Sequence, residues 1–194
     1  MVDRLNRLGC EGSPGLHSSI AACVPLDGYH LTREQLSSLP DTATAHARRG
    51  AAFTFDASSF LELVKSLREP LLPEAKTTFA PSFDHAIKDP IQDDIAIPPT
   101  AKVVVFEGNY LSLDRGHWKE AAVLMDELWF VEVEVRIARQ RLITRHTRAG
   151  ITANEVEAAR RADESDLVNG QEIIAGRLEA QEVITSIEDG TFQQ

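Results

Sequence analysis

Two acidic residues, each directly followed by a glycine, are the residues of this chain best suited to catalysis. Asp27 precedes Gly28 at the end of one apolar run, and Glu107 precedes Gly108 at the end of a second. Such runs indicate buried parallel strands, and ligands of open α/β sheets bind beyond the carboxyl ends of the strands. One carboxylate could accept a proton from a substrate hydroxyl while the other orients Mg²⁺ or its water shell. In the alternative interpretation, Asp27 caps a helix and Glu107 pairs with a loop arginine.

A cluster of basic side chains is the second candidate for chemistry. The chain carries a formal net charge of −10, yet its basic residues crowd one stretch before Gly150. Arginines on a hinged helical segment could close over a phosphorylated ligand, or the cluster could be a solvated helix face. The residues of the cluster are Arg136, Arg139, Arg141, Arg145, His146 and Arg148.

Several other polar residues allow two interpretations each. The Arg48–Arg49 pair could hold an anionic group or solvate a loop, and His30 could bind substrate or pack against Tyr29. Asp166 and Asn169 could reach the site, but their types favour capping of the helix that follows. The larger aromatic residues are predicted to lie in the core rather than in a ligand cage. They are Phe53, Phe55, Phe60, Trp118 and Trp129.

Apolar periodicity predicts strands that alternate with helices, which is typical of a parallel α/β sheet. Predicted strands cover residues 20–26, 102–107, 127–133 and 183–187. Predicted helices cover 2–8, 32–39, 57–69, 118–125, a long segment from about 135, 153–165 and 168–177. The segments 9–19 and 47–56 are predicted loops, and 76–100 is predicted to be irregular or short extended structure. We expect one domain over 1–194 with a lid-like helical segment at about 136–165.

Composition narrows the class of protein. The acidic balance argues against a general nucleic-acid binder, which would carry a basic face. Cys10 and Cys23 give no disulfide framework, and no apolar run approaches the roughly 20 residues that cross a bilayer. The N-terminus lacks the apolar core of a signal peptide. We therefore expect a cytoplasmic protein without a nucleic acid or membrane partner.

The segments that contain these residues resemble, in order, the uridine kinase/phosphoribulokinase/pantothenate kinase-like branch of the P-loop NTPases. The resemblance extends from about residue 20 to residue 187. The segments are Val24-Pro-Leu-Asp-Gly-Tyr-His-Leu31, Arg48-Arg-Gly-Ala-Ala-Phe-Thr-Phe-Asp56, Ala80-Pro-Ser-Phe-Asp84, Val104-Val-Phe-Glu-Gly-Asn-Tyr-Leu111, Asp126-Glu-Leu-Trp-Phe-Val131, Arg141-Leu-Ile-Thr-Arg-His146 and Asp166-Leu-Val-Asn169.

This resemblance implies an ATP- and Mg²⁺-dependent kinase that phosphorylates a hydroxyl of a nucleoside, a pantothenate-like acid or a sugar. It puts Asp27 at the position of the catalytic base and Glu107 at the strand end that serves catalysis and the metal. It puts the nucleotide-binding side chains Arg141, Arg145 and His146 at or beside a lid. The residues that it implies for the substrate side are Tyr29, His30, Arg49, Asn109 and Tyr110.

The resemblance also implies a three-layer α/β fold of the P-loop kinase type that lacks the first strand, the phosphate loop and most of the first helix. The phosphate-loop pattern Gly-x-x-x-x-Gly-Lys-Ser/Thr does not occur, and the nearest stretch, Gly12–Ser19, has no lysine. We therefore expect a truncated gene model, an alternative product or a degenerate paralogue. Uncovered strand edges could cause self-association. The alternative to an impaired kinase is a non-catalytic homologue that retains an acceptor-binding pocket.

Overall fold

The computed structural model describes residues 1–11, 19–70, 72 and 74–187. Most of the predicted 9–19 loop, including the segment nearest to a phosphate loop, lies outside the described residues. The strands are β1 (Ala21–Pro25), β2 (Thr78–Asp84), β3 (Asp89–Ile97), β4 (Val103–Glu107), β5 (Trp129–Glu132) and β6 (Glu182–Thr185). The helices are α1 (Val2–Glu11), α2 (Arg33–Ser37), α3 (Thr42–Ala47), α4 (Ala57–Arg68), α5 (Gly116–Ala122), α6 (Val135–Arg148), α7 (Glu155–Arg161) and α8 (Leu167–Gly176).

Two pairs of parallel strands confirm the predicted α/β class. β1 pairs with β4, and β5 pairs with β6, each pair as a two-stranded sheet. All four strands lie where the apolar runs predicted them, within two residues at each end. Long helical connections between parallel partners are required because a tight turn can join only antiparallel strands.

The β5–β6 pair has more exposed apolar side chains than a buried parallel sheet would have. Trp129 is 48% exposed and Val131 is 60% exposed, so the prediction of a core position for Trp129 is wrong. The apolar run predicts a buried strand, but the side chains of Trp129, Val131 and Glu132 are exposed among the described residues. The expected self-association through strand edges stays a prediction.

Residues 76–100, predicted to be irregular or short extended structure, form an antiparallel hairpin of β2 and β3, which is extended but longer and more regular than predicted. Its register shifts between Ala80 and Ser82, and Pro81 lies at this irregularity. The turn is closed by the Asp84 carboxylate, which accepts hydrogen bonds from the backbone N–H groups of Ala86 and Ile87. Proline normally argues against a strand, but bulges and edges tolerate it because no ladder hydrogen bond is needed there.

The main core lies between the β1–β4 pair, α4 and α5. Its largest side chains meet as rings: Phe60 contacts Phe106 at 5.3 Å and Trp118 at 5.9 Å between centroids. The predicted core positions of Phe55, Phe60 and Trp118 are confirmed. Phe53 is 51% exposed, so its predicted core position is wrong. It lies in a short 3-10 turn, Ala52–Thr54, where the adjacent side chains are the buried ones.

Local signals place several helix ends as predicted. The capping box between Thr32 and Gln35 is present, with both reciprocal hydrogen bonds formed. α1 is longer than predicted, and the Asn6 side chain bonds both the N–H and the carbonyl of Ala21. These two bonds fix α1 against the beginning of β1.

The segment predicted as a lid has a small apolar cluster of its own. Ile143 of α6 packs against Ala158 of α7 and Ala162, apart from the main core. α7 continues through a π-helical turn, Ala162–Asp166, directly into α8. Arg139 and Asp163 form a two-armed salt bridge across this unit at 2.7 Å. Whether the unit moves as a lid stays a prediction.

In the described part of the chain, no helix is both long enough and apolar enough to cross a membrane.

We predict that Gly28→Ala and Gly108→Ala each destabilise the protein by about 1–3 kcal/mol, the usual cost of overpacking. An added Cβ would overlap the Pro81 backbone at Gly28 and the Leu26 side chain at Gly108. Urea unfolding measures the change. Gly170→Ala in α8 is the matched control, because a Cβ there meets open space. It should be neutral or stabilise by about 0.5–1 kcal/mol, and equal losses in all three variants would contradict the argument.

Candidate functional site

The two acidic residues lie at the same edge of the β1–β4 sheet. Because the strands are parallel and Pro25 is opposite Glu107, Asp27 follows β1 at the level where Glu107 ends β4. Gly108 lets the chain after β4 approach Leu26 closely, and Gly28 does the same against the hairpin at Pro81. Close packing therefore explains the glycine in each acid–glycine pair. Each carboxylate lies next to a position where two segments of the chain approach each other closely.

Neither structural alternative for the two carboxylates is found among the described residues. Asp27 lies in the 3-10 turn Leu26–Tyr29, which has no side-chain cap. Its side chain is 55% exposed and lies 3.8 Å from Nδ1 of His30. Glu107 is exposed, and its carboxylate forms no hydrogen bond or ion pair within the described ranges. Both carboxylates are thus available to a ligand.

His30 is held in place by rings on two sides. Its ring centroid lies 4.0 Å from that of Phe55 and 5.1 Å from that of Phe83, while Nδ1 contacts the Asp27 carbonyl oxygen at 2.9 Å. The side chain therefore packs on these two rings rather than on Tyr29. Burial is the main cause that lowers the pKa of His30, and the positive charge of Arg49 adds to it, against opposing effects of Asp27.

The two tyrosines predicted for the substrate side are buried, whereas Asn109 between the acid edge and Tyr110 is exposed. Tyr29 packs edge-on against Phe60, and burial raises the pKa of its hydroxyl. The Tyr110 hydroxyl donates to the Gly50 carbonyl at 2.7 Å, and burial raises its pKa to about 12. Tyr110 thereby fixes the Arg48–Gly50 loop to the end of β4.

Arg49 is engaged by the hairpin. It donates to Asp89 at 2.8 Å, to the Leu31 carbonyl at 2.9 Å and to the Lys88 carbonyl at 2.6 Å. Partial desolvation alone would raise the pKa of Asp89, but hydrogen bonds from Arg49 and Arg33 outweigh it and hold that pKa below its ordinary value. Asp89 was not predicted as a partner of Arg49, because it lies in the segment 76–100, for which irregular or short extended structure was predicted.

The residues predicted to bind the nucleotide differ in how far they are buried. Arg145 is exposed and makes no ion pair with any described residue, whereas His146 is buried. The Arg141 guanidinium donates to the Ser186 hydroxyl at 2.7 Å. Neither Arg145 nor His146 is joined to Asp27 or Glu107 by a hydrogen bond within the described ranges.

The prediction that Asp166 and Asn169 cap a helix is wrong. The Asp166 carboxylate lies 2.8 Å from Nε2 of His146, and Asn169 accepts from Arg48 at 2.8 Å. Asp166 makes no capping bond because the helix runs unbroken from α7 into α8, so no free N–H groups need a cap. Both side chains instead connect α8 to other elements.

The chemistry of the acid edge fits Mg²⁺. Asp27 and Glu107 offer carboxylate oxygens, and Mg²⁺ takes one or two such ligands while it keeps waters and phosphate oxygens. The described residues contain no cluster of three or more histidine, cysteine or acidic side chains for a fully protein-bound metal. For a nucleotide, the exposed Arg145 guanidinium provides donors suited to phosphate.

Comparison with known proteins gives clear relatives, although no family model matches the chain. It is 52% identical over 159 residues to ATP-dependent kinase-like protein notR' of Aspergillus versicolor, covering 82% of this chain and 92% of the relative. It is 41% identical over 152 residues to Putative uridine kinase C227.14 of Schizosaccharomyces pombe, covering 78% of this chain. The crystal structure of a putative fructose transport system kinase from Silicibacter sp. TM1040 matches with TM-score 0.76 and 30% identity, over 94% of this chain and 81% of that one.

The chain spans only part of most of these relatives. It covers 63% of the Schizosaccharomyces pombe protein and 52% of the ATP-dependent kinase YFH7 of Saccharomyces cerevisiae. Its similarity to notR' extends over nearly the whole of that protein.

We predict that stability falls as the pH drops below about 6.5, the ordinary pKa of histidine. Because the pKa of His30 is lowered in the folded protein, the unfolded chain takes up the proton at a higher pH than the folded protein does. The contribution of His30 to the free energy of unfolding is therefore fully present only above about pH 6.5. His30→Phe keeps a stacking ring and should flatten this pH dependence, measured by urea unfolding between about pH 5 and pH 7.5. His117→Gln, at an exposed histidine, should keep it; equal slopes in wild type and His30→Phe would refute the assignment.

Proposed function

This chain belongs to the kinase-like family of P-loop NTPases, and from that membership we propose that it transfers the terminal phosphoryl group of ATP to a hydroxyl of a small metabolite. The observation that carries the proposal is the acid edge, where two exposed carboxylates share one end of the β1–β4 sheet. Neither is used by the fold as a helix cap or in an arginine pair among the described residues.

Asp27 is the proposed base of this reaction. Its carboxylate would accept the proton of the acceptor hydroxyl as that oxygen attacks phosphorus. His30 supports this assignment because its lowered pKa keeps the ring neutral near pH 7, so that it does not neutralise Asp27. A base held beside a neutral, packed ring keeps its orientation without losing its charge.

Glu107 is the proposed partner of the metal. Bound Mg²⁺ would supply charge neutralisation for the phosphates, and the Glu107 carboxylate would orient it directly or through its waters. Arg145, exposed on α6, is the proposed contact to phosphate, with Arg141 and His146 beside it. Asn109, exposed after Glu107, and Arg49 are the proposed contacts on the acceptor side, and the buried Tyr29, His30 and Tyr110 would shape that side.

The acceptor belongs to a broad class. One relative is named a putative uridine kinase and one solved structure a putative fructose transport system kinase, and both uridine and fructose contain a polyhydroxylated sugar unit. We therefore propose a small hydroxylated acceptor, a nucleoside, a sugar or a pantothenate-like acid, in the cytoplasm where ATP and Mg²⁺ are supplied.

A non-catalytic homologue is the second candidate. The sequence contains no Gly-x-x-x-x-Gly-Lys-Ser/Thr pattern, whose backbone N–H groups and lysine hold the phosphates in P-loop enzymes. A protein of this kind would keep the acceptor pocket and bind its ligand without turnover.

We predict that Asp27→Asn lowers turnover by about 10²–10⁴-fold, the usual contribution of a general base, and leaves Mg-ATP affinity almost unchanged. Product formation with uridine, fructose and pantothenate is measured by mass spectrometry, and Mg-ATP binding by calorimetry. Asp41→Asn is the matched control, since that carboxylate caps α3 and should leave turnover intact. Near-normal turnover in Asp27→Asn would exclude the base assignment. Acceptor binding without product in the wild type would support the non-catalytic homologue.

A further inference from the structure

A cavity of about 620 Å³ lies where the Arg48–Ala57 segment meets the beginning of α5 and α8. None of the residues assigned above to phosphoryl transfer lines it. Its lining includes two arginines, one carboxylate, three apolar aromatic rings and one imidazole, namely Arg48, Arg115, Glu172, Phe53, Phe55, Trp118 and His117, and the imidazole is paired with Glu120. It is therefore a second site, separate from the acid edge.

The two neighbouring arginines differ in the charge of their hydrogen-bond partners. Arg49 is neutralised by Asp89, whereas the one side-chain hydrogen bond of Arg48 to a described residue goes to the neutral amide oxygen of Asn169. Nε of Arg48 is buried and has no hydrogen-bond partner among the described residues. A partly buried guanidinium without a carboxylate is costly unless an anion can reach it. Arg48 thus places a guanidinium in the wall of the cavity that forms no ion pair with a carboxylate of the described residues.

The charge of this cavity differs from that of the other large cavity. Two arginines face one carboxylate here, and Arg115 already pairs with that carboxylate, Glu172, at 2.7 Å. The other cavity, about 510 Å³ between α4 and the hairpin, has three carboxylates and neither lysine nor arginine among its described lining residues. In a chain of net charge −10, the first cavity is the one that favours an anion.

The rest of the wall is mostly apolar, and part of it consists of aromatic side chains. Phe53 is exposed on this wall, which leaves a large apolar face in water beside a cation. Trp118 lies deeper, packed against Phe55 at 6.2 Å between centroids. A flat apolar group could cover Phe53 while an anion attached to it reaches Arg48. One ligand would then bury the exposed Phe53 ring and supply the Arg48 guanidinium with an anionic partner.

We propose that this cavity binds a small organic anion, with its carboxylate or phosphate on Arg48 and its flat apolar part against Phe53 and Trp118. Arg48 is the specificity-determining residue because it is the cation of the cavity without a carboxylate partner in the described part of the chain. Glu172 limits affinity, since it neutralises Arg115 and repels the ligand.

Binding of benzoate and of phenyl phosphate tests the proposal, with benzyl alcohol as the neutral ligand of the same shape. Titration calorimetry should show saturable binding of at least one anion below about 10 mM, and weaker binding of the alcohol. Comparison of the two anions decides between a carboxylate and a phosphate ligand. Arg48→Gln, which removes the charge and keeps an amide donor, should weaken anion binding about tenfold or more and leave the alcohol unchanged.

Two further variants keep the test independent of folding. Glu172→Gln should tighten anion binding, an effect that a damaged fold would not produce. Arg33→Gln is the matched control for net charge, because that arginine is exposed and pairs with Asp89 outside the cavity; it should bind anions as the wild type does. No saturable anion binding to the wild type, or equal losses in Arg33→Gln and Arg48→Gln, would overturn the proposal.

Discussion

The parallel pairing of β1 with β4, with Pro25 opposite Glu107, decides where both carboxylates of the site lie. If one strand shifted by one residue in this register, its side chains would move to the opposite face of the sheet. The approach of Gly108 to Leu26 opposes such a shift, because only a residue without a Cβ fits there. The acid edge is therefore a consequence of strand register and of one close contact, and its carboxylates need no partner to hold them.

The Arg48–Gly50 loop joins three parts of the molecule that the chain order separates. Arg49 fixes it to the hairpin through Asp89, the Tyr110 hydroxyl fixes it to the end of β4, and Arg48 fixes it to α8 through Asn169. Charged and buried hydrogen bonds of this kind are stronger than exposed ones, since water competes less for the donors. The position of the hairpin beside His30 depends on this loop.

The sequence predicted the parts of the fold that local patterns encode. Apolar runs located β1, β4, β5 and β6, and a capping box located α2, because periodicity and helix ends depend on nearby residues. Extended structure was one of two alternatives for residues 76–100, but its pairing into a hairpin was not predicted, because its prolines lie at a bulge and an edge, which only the partner strand reveals. The acid pair was found by its spacing, but the partners of Arg49 and His146 lie 40 and 20 residues away and leave no local signal.

Net charge and local charge lead to different conclusions for this chain. The acidic total of −10 argues against a general basic surface, yet the neighbouring arginines differ: one pairs with a carboxylate and the other donates to a neutral amide. At distances of a few ångströms in a partly desolvated wall, the nearest groups outweigh the sum over the surface, which water and salt screen. Since Arg48 and Arg49 are adjacent in sequence, only the fold distinguishes a structural arginine from one that is left to bind an anion.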